Sequence, residues 1–244
     1  MTAFTYDAYR EFLDRLRRGG YAFGTYAEPV PERTVVLRHD VDWSPERARQ
    51  MARIEAERGV SATYFFLVGS PLYNVRARRV REVLETIESL GHRVGVHFST
   101  HEFWADDPGE SDLGARVREE QRVLSTAVDD VADAVSFHIP PDWVLGVDYE
   151  GFTNAYAPQF FEEITYVADS NQRWRGEPPL VDVDPDRVQV LVHPGLWASA
   201  DGSFGERLDA ERGRRLEAIR AYLDDQYGAV VDTPGVGMVT DGGQ

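Results

Sequence analysis

Short runs of apolar and β-branched residues alternate along the chain with longer stretches in which apolar positions recur at helical spacing. "TVVLRHD" (34–40) precedes "SPERARQMARIEAERG", where a Ser start, Pro at the first helical position, recurring Ala, Met and Ile and a Gly stop predict a helix. The succession recurs in "SATYFFLV" then "VRARRVREVLETIESLG", and in "RVGVHFS" then "LGARVREEQRVLSTAVDDVADA". It continues through "AVSFHIP", "ITYVADS" and "VQVLVHP" to a last long helix, "GERLDAERGRRLEAIRAYLDDQYG". Such alternation means parallel βαβ units, which predict a barrel or a doubly wound sheet, and the barrel is favoured. No repeat, low-complexity tract or long linker interrupts the pattern, so residues 1–244 are expected to form a single domain.

Composition narrows the chemistry. With 244 residues and 42% hydrophobic, the chain has material for one sizeable core. Cysteine is absent, which removes disulfides, thiolate nucleophiles and Cys-ligated zinc together, so any metal site must use His and carboxylate donors. Acidic residues outnumber basic ones, 42 against 26, for a net charge of −16, and every basic residue is Arg. That surface repels nucleic acid and anionic lipid, so neither is an expected partner. It suits a high-salt cytoplasm, where screening relieves self-repulsion; a merely acidic protein from a GC-rich genome is the alternative. The N-terminal stretch lacks the continuous apolar core of a signal peptide, and no apolar run is long enough to span a bilayer. A cytoplasmic location is therefore expected.

Polar, chemically capable residues gather at the carboxyl ends of the expected strands: "RHDVD" (38–42), "HFSTH" (97–101), "FHIPPDW" (137–143), "ADSNQRW" (168–174) and "VHPGLW" (192–197). In a parallel barrel these ends share one face, where an active site can be assembled from residues distant in sequence. Five of the six histidines lie in these segments, and each of the five tryptophans follows closely, predicting an aromatic-rimmed mouth. His97 and His101, with a carboxylate from a neighbouring strand end, would make a two-His, one-carboxylate site with open coordination positions. By itself the spacing more often marks hydrogen-bonded rim histidines, and Asp40 and Asp42 also fit a strand-end turn with an Asp helix cap ahead of "SPERA".

The order of these segments resembles the polysaccharide deacetylases, carbohydrate esterase family 4. "HDVD", "HFSTH", "HIPP", "DSNQRW" and "VQVLVH" follow the order of that family's motifs from residue 34 to about 200, and "GVSATYFF" is similar to its second strand. The resemblance implies a distorted (β/α)7 barrel and a divalent ion, with zinc the first expectation. It implies Asp42, His97 and His101 as metal ligands, Asp40 as general base, His193 as general acid and Asp169 as the residue that orients and charges it. His138 occupies the place of the arginine that hydrogen-bonds the base, and Pro141 stands where Tyr is usual. The first motif is D-x-D rather than adjacent aspartates, so Asp40 and Asp42 could exchange roles. The fourth lacks its second aspartate and places Arg173 before Trp174.

The implied reaction is hydrolysis of a non-peptide amide, first of all removal of an N-acetyl group from an amino sugar of a surface glycan. Trp143, Trp174, Trp197 and Arg173 are the candidate substrate contacts, although such tryptophans also serve to pack loops over a barrel. His39 is read as structural. Two alternatives stand beside this reading: hydrolysis of a small non-sugar amide such as a ureide or cyclic imide on the same fold, and a carbohydrate-binding relative without turnover.

Overall fold

The computed structural model describes residues 2–26 and 29–231. Among the described residues, those up to Phe204 form one compact unit and those from Gly205 onward a second. The first unit contains eight strands, β1 (Ala22–Gly24), β2 (Thr34–Val41), β3 (Thr63–Leu67), β4 (Arg93–Phe98), β5 (Val131–Phe137), β6 (Thr153–Asn154), β7 (Thr165–Ala168) and β8 (Arg187–Val192). Helices α1 (Tyr6–Arg18), α2 (Pro45–Ala56), α3 (Arg78–Ser89), α4 (Glu110–Leu124) and α5 (Pro158–Phe161) connect or flank them.

Seven strands follow one another in the order β6-β5-β4-β3-β2-β8-β7, every pairing parallel, with β1 added beside β2. The path curls as the distorted (β/α)7 barrel expected from the sequence. Its end strands, β6 and β7, are two and four residues long. Most strands are buried on both faces, as parallel strands between helices and a filled interior must be.

The local signals explain the elements. Ser44 and Pro45 start α2 where the sequence predicts, and α2 buries Ala48, Met51, Ala52 and Ile54 against the sheet. The helix expected over "LGARVREEQRVLSTAVDDVADA" runs only to Leu124. Beyond it Val131, Ala132, Ala134 and Val135 form a strand that begins three residues earlier than "AVSFHIP", because β-branched residues there pair with β4. Gly95 lets β4 and β5 close up: a Cβ at that position would lie 2.9 Å from both the Ala134 carbonyl oxygen and the Phe65 ring. The second unit carries most of α6 (Phe204–Val231), whose exposed surface is laced by Arg212–Asp209 and Arg220–Glu217 pairs. No helix among the described residues is long and apolar enough to cross a membrane.

Candidate metal centre

Strand parity decides which side chains face the barrel axis. On β2, Val35, Leu37 and Val41 join the large apolar cluster under the helices, whereas Val36 joins a small inner cluster with Phe160. Arg38 and Asp40 share the parity of Val36. His97 on β4, Ser136 on β5 and His193 just past β8 are the other inward-facing polar residues at this level, and Asp40, Asp42, His97, His138 and His193 all border one cleft of about 470 Å³.

At the floor of that cleft three donor atoms form a nearly equilateral triangle. Asp42 Oδ1 lies 3.2 Å from His97 Nε2 and 3.2 Å from His138 Nδ1. The two imidazole nitrogens are 3.3 Å apart. A tetrahedral ion with bonds of about 2.1 Å holds its ligands about 3.4 Å apart, so the triangle matches such an ion to within about 0.2 Å. Among the described residues this is the one His/Asp/Glu group with such spacing. His97 is aimed from behind: its Nδ1 faces the Ser136 hydroxyl at 3.0 Å and the Ser136 carbonyl at 3.2 Å, which leaves Nε2 to the triangle. Burial opposes the Asp42 anion, but hydrogen bonds from His138 and His97 hold its pKa well below the carboxylate range. The same bond to Asp42 raises the pKa of His138, so a bound cation competes with that proton.

Two of the expected residues lie elsewhere than the spacing suggests. His101 is not in the triangle. The strand ends at Phe98, and the short 3-10 turn Thr100–Glu102 carries His101 outward, where it is exposed and its Nε2 donates to the Ile139 carbonyl at 2.8 Å. Residues four apart share a face on an α-helix, not across the end of a strand. The third corner of the triangle is His138 Nδ1, which faces Asp42 and His97 rather than Asp40. Ile139 adopts a left-handed backbone (φ 46°), uncommon for a β-branched residue, directly after this donor.

Asp40 is held by Arg38. The guanidinium, completely buried, gives the carboxylate two parallel hydrogen bonds, Nε to Oδ1 at 3.0 Å and Nη2 to Oδ2 at 2.8 Å. The Ser136 hydroxyl lies 2.9 Å from both carboxylate oxygens. Burial disfavours the anion, yet the charge and hydrogen bonds of Arg38, together with the nearby His97 and His193, outweigh it and bring the pKa down to about 2.

Across the cleft, Asp169 is buried and accepts from His193 Nδ1 at 2.6 Å and from the Trp197 indole N–H at 2.8 Å. Burial alone would lower the pKa of His193; Asp169, with help from Asp42 and Asp40, pushes it up to about 9. Trp197 and Trp174 are buried against each other and against α1, so neither offers a ring face to a ligand. Trp143 is half-buried on the apolar cluster and is not part of the cleft wall, whereas Arg173 is. The half-buried Trp43 borders the cleft as well as a smaller hollow of about 330 Å³ on the other side of Asp42 and His138, where Glu102 adds negative charge and burial raises the pKa of Glu120 to about 7.

His39 points the other way, into the helix layer, where Glu55 accepts from it at 2.7 Å, from Tyr64 at 2.7 Å and from Tyr9 at 2.5 Å. Arg38, Ser136 and Glu55 escaped the sequence reading. Arg38 carried a signal: a charge inside an apolar strand, two residues from Asp40 and therefore on the same face.

Fold and site together define a parallel α/β barrel in which an Asp/His/His triangle of spacing suited to a metal ion, a clamped carboxylate and an imidazole–carboxylate pair surround one cleft. Comparison with solved structures finds the following likenesses. A family 4 carbohydrate esterase from Bacillus anthracis is 16% identical, with 74% of this chain and 76% of that one covered and a TM-score of 0.40. A family 4 pseudoenzyme from Bacillus anthracis is 16% identical, with coverages of 81% and 65% and a TM-score of 0.44. A peptidoglycan N-acetylglucosamine deacetylase is 16% identical, with coverages of 82% and 88% and a TM-score of 0.47. No protein-family model matches the chain, and no curated protein does.

Proposed function

We propose that this chain is a polysaccharide-deacetylase-type hydrolase of a non-peptide amide, acting with a divalent cation, zinc first, on an N-acetylated amino sugar. The observation that carries the reading is the 3.2–3.3 Å triangle of Asp42, His97 and His138. A neutral imidazole or a carboxylate is a good donor to a divalent ion, and three such atoms at one point leave room for further ligands. When bound, the cation supplies a Lewis acid that polarises an amide carbonyl and makes water easier to deprotonate.

The residues around it divide the remaining work. Asp40 orients the attacking water and takes its proton as the new C–O bond forms. His193, kept protonated by Asp169 up to about pH 9, gives its proton to the nitrogen as the C–N bond breaks, since an amide anion is too poor a leaving group to depart unprotonated. The products are acetate and the free amine. Arg173 and Trp43 are the side chains of the cleft wall best suited to a sugar, one by hydrogen bonding and one by its ring. The acidic hollow beside the centre disfavours an anionic substrate and suits a neutral or amino sugar.

Metal analysis and acetate release test the reading together. Protein dialysed against zinc is expected to retain one equivalent and to release acetate from N-acetylated chitooligosaccharides, with both properties lost in chelator. Stoichiometric zinc with ammonia or a new carboxylate from small amides, and no acetate from sugars, would move the substrate to the ureide or cyclic-imide class. Absence of metal uptake would leave a sugar-binding module.

A further inference from the structure

Arg38 is completely buried, and every hydrogen bond it makes goes to the interior of the barrel at the level of the candidate centre. Besides its two bonds to Asp40, Nη2 donates to the Ser136 hydroxyl at 2.5 Å and to the Tyr156 hydroxyl at 2.8 Å. Its guanidinium carbon also lies 4.3 Å from the centroid of the Tyr156 ring. A buried ion pair returns little stability over a well-packed apolar pair, so the buried strand Thr34–Val41 has small structural reason to carry one here. Its geometry, however, is demanding. Two parallel N–H···O bonds fix the plane of a carboxylate as well as its position, which a single lysine ammonium does not.

We infer that Arg38 is a positioning residue: resting on the hydrolytic reading above, it fixes the Asp40 carboxylate in the plane that faces the cleft beside Asp42, His97 and His138. Ser136 completes the arrangement, because its hydroxyl touches both Asp40 and His97 Nδ1 and so ties the orientation of the carboxylate to that of a donor. Arg38 touches no substrate; it acts through Asp40. The centre itself is untouched by Arg38, since neither Asp42, His97 nor His138 accepts a bond from it. Removal of Arg38 is therefore expected to spare cation binding and to damage turnover, a pattern that general loosening of the fold does not produce.

Three variants test this: Arg38→Met, Arg38→Lys and Asp40→Asn, each measured for zinc content, thermal midpoint, kcat and KM on an N-acetylated chitooligosaccharide. The inference expects Arg38→Met to keep about one zinc and a KM within about threefold, with kcat down by about 100-fold, the scale of a small misplacement of a reacting group. Arg38→Lys should be nearly as slow because it restores the charge without the paired bonds, and methylguanidinium added to Arg38→Met should recover part of kcat. Near wild-type kcat in Arg38→Lys would overturn the inference, as would zinc loss in proportion to the fall in kcat. If the wild type itself releases no acetate, the hydrolytic reading fails separately, and the crystal structure of Arg38→Lys decides the positioning claim. An Asp40 carboxylate turned out of its plane supports it, and one left in place overturns it. Should Arg38→Met fail to fold, Arg38→Lys carries the same comparison.

Discussion

Asp169→Asn isolates the electrostatic device on the acid side of the cleft. Asp169 has no exposure to solvent, sits 2.6 Å from His193 Nδ1 and supplies the largest influence raising the His193 pKa to about 9. At pH 7.5 an imidazole of pKa 9 is about 97% protonated, whereas one at the ordinary 6.5 is about 10% protonated. With the anion gone, burial is opposed only by the charges of Asp42 and Asp40, so the pKa of His193 falls from about 9 and the protonated fraction at pH 7.5 falls with it. Stability changes in a linked way. Because the folded pKa lies above the unfolded one, the contribution of His193 is fully present below pH 6.5 and is lost as pH rises through about 9. The 2.5-unit difference corresponds to about 3 kcal/mol, which wild type loses over that window and Asp169→Asn does not. Imidazole NMR titration from pH 5.5 to 10, with urea unfolding at pH 6 and pH 9.5, measures both effects. A wild-type His193 titrating near 6.5, or a midpoint unchanged by Asp169→Asn, would refute the pairing argument.

Other expectations follow from the same geometry. His97→Ala and His138→Ala should each lower zinc affinity by more than about 100-fold while His101→Ala retains the ion, as read by equilibrium dialysis; loss of zinc in His101→Ala alone would restore the ligand set expected from the H-x-x-x-H spacing. Glu55→Gln, which leaves Tyr9, Tyr64 and His39 facing a neutral amide, should cost about 3 kcal/mol in urea unfolding at pH 7. With a net charge of −16, the thermal midpoint should rise steadily from low to molar KCl, and a flat or falling midpoint would remove the high-salt habitat reading.

The barrel was legible because its evidence is periodic: β-branched runs ending in polar clusters, the first three followed by amphipathic helices, recover β2, β3, β4, β5, β7 and β8. The short strands β1 and β6, three and two residues long, carry too little pattern to be seen. In the site, the sequence brought Asp40, Asp42, His97, His138 and His193 to one face, because strand ends of a parallel barrel converge. It did not apportion them. Which of His101 and His138 reaches Asp42 depends on a turn after Phe98 and on the left-handed Ile139, neither of which a spacing reveals. Trp174 and Trp197 show the complementary difficulty: an indole next to a functional segment reads as a ligand platform, and only packing shows both rings turned into the core.

Anomalous diffraction at the zinc edge from crystals grown with the ion is the most direct measurement of the centre. The account predicts one peak within about 2.0–2.2 Å of Asp42 Oδ1, His97 Nε2 and His138 Nδ1. A peak bonded to His101 with His138 turned away, or crystals that take up no zinc at all, would contradict it.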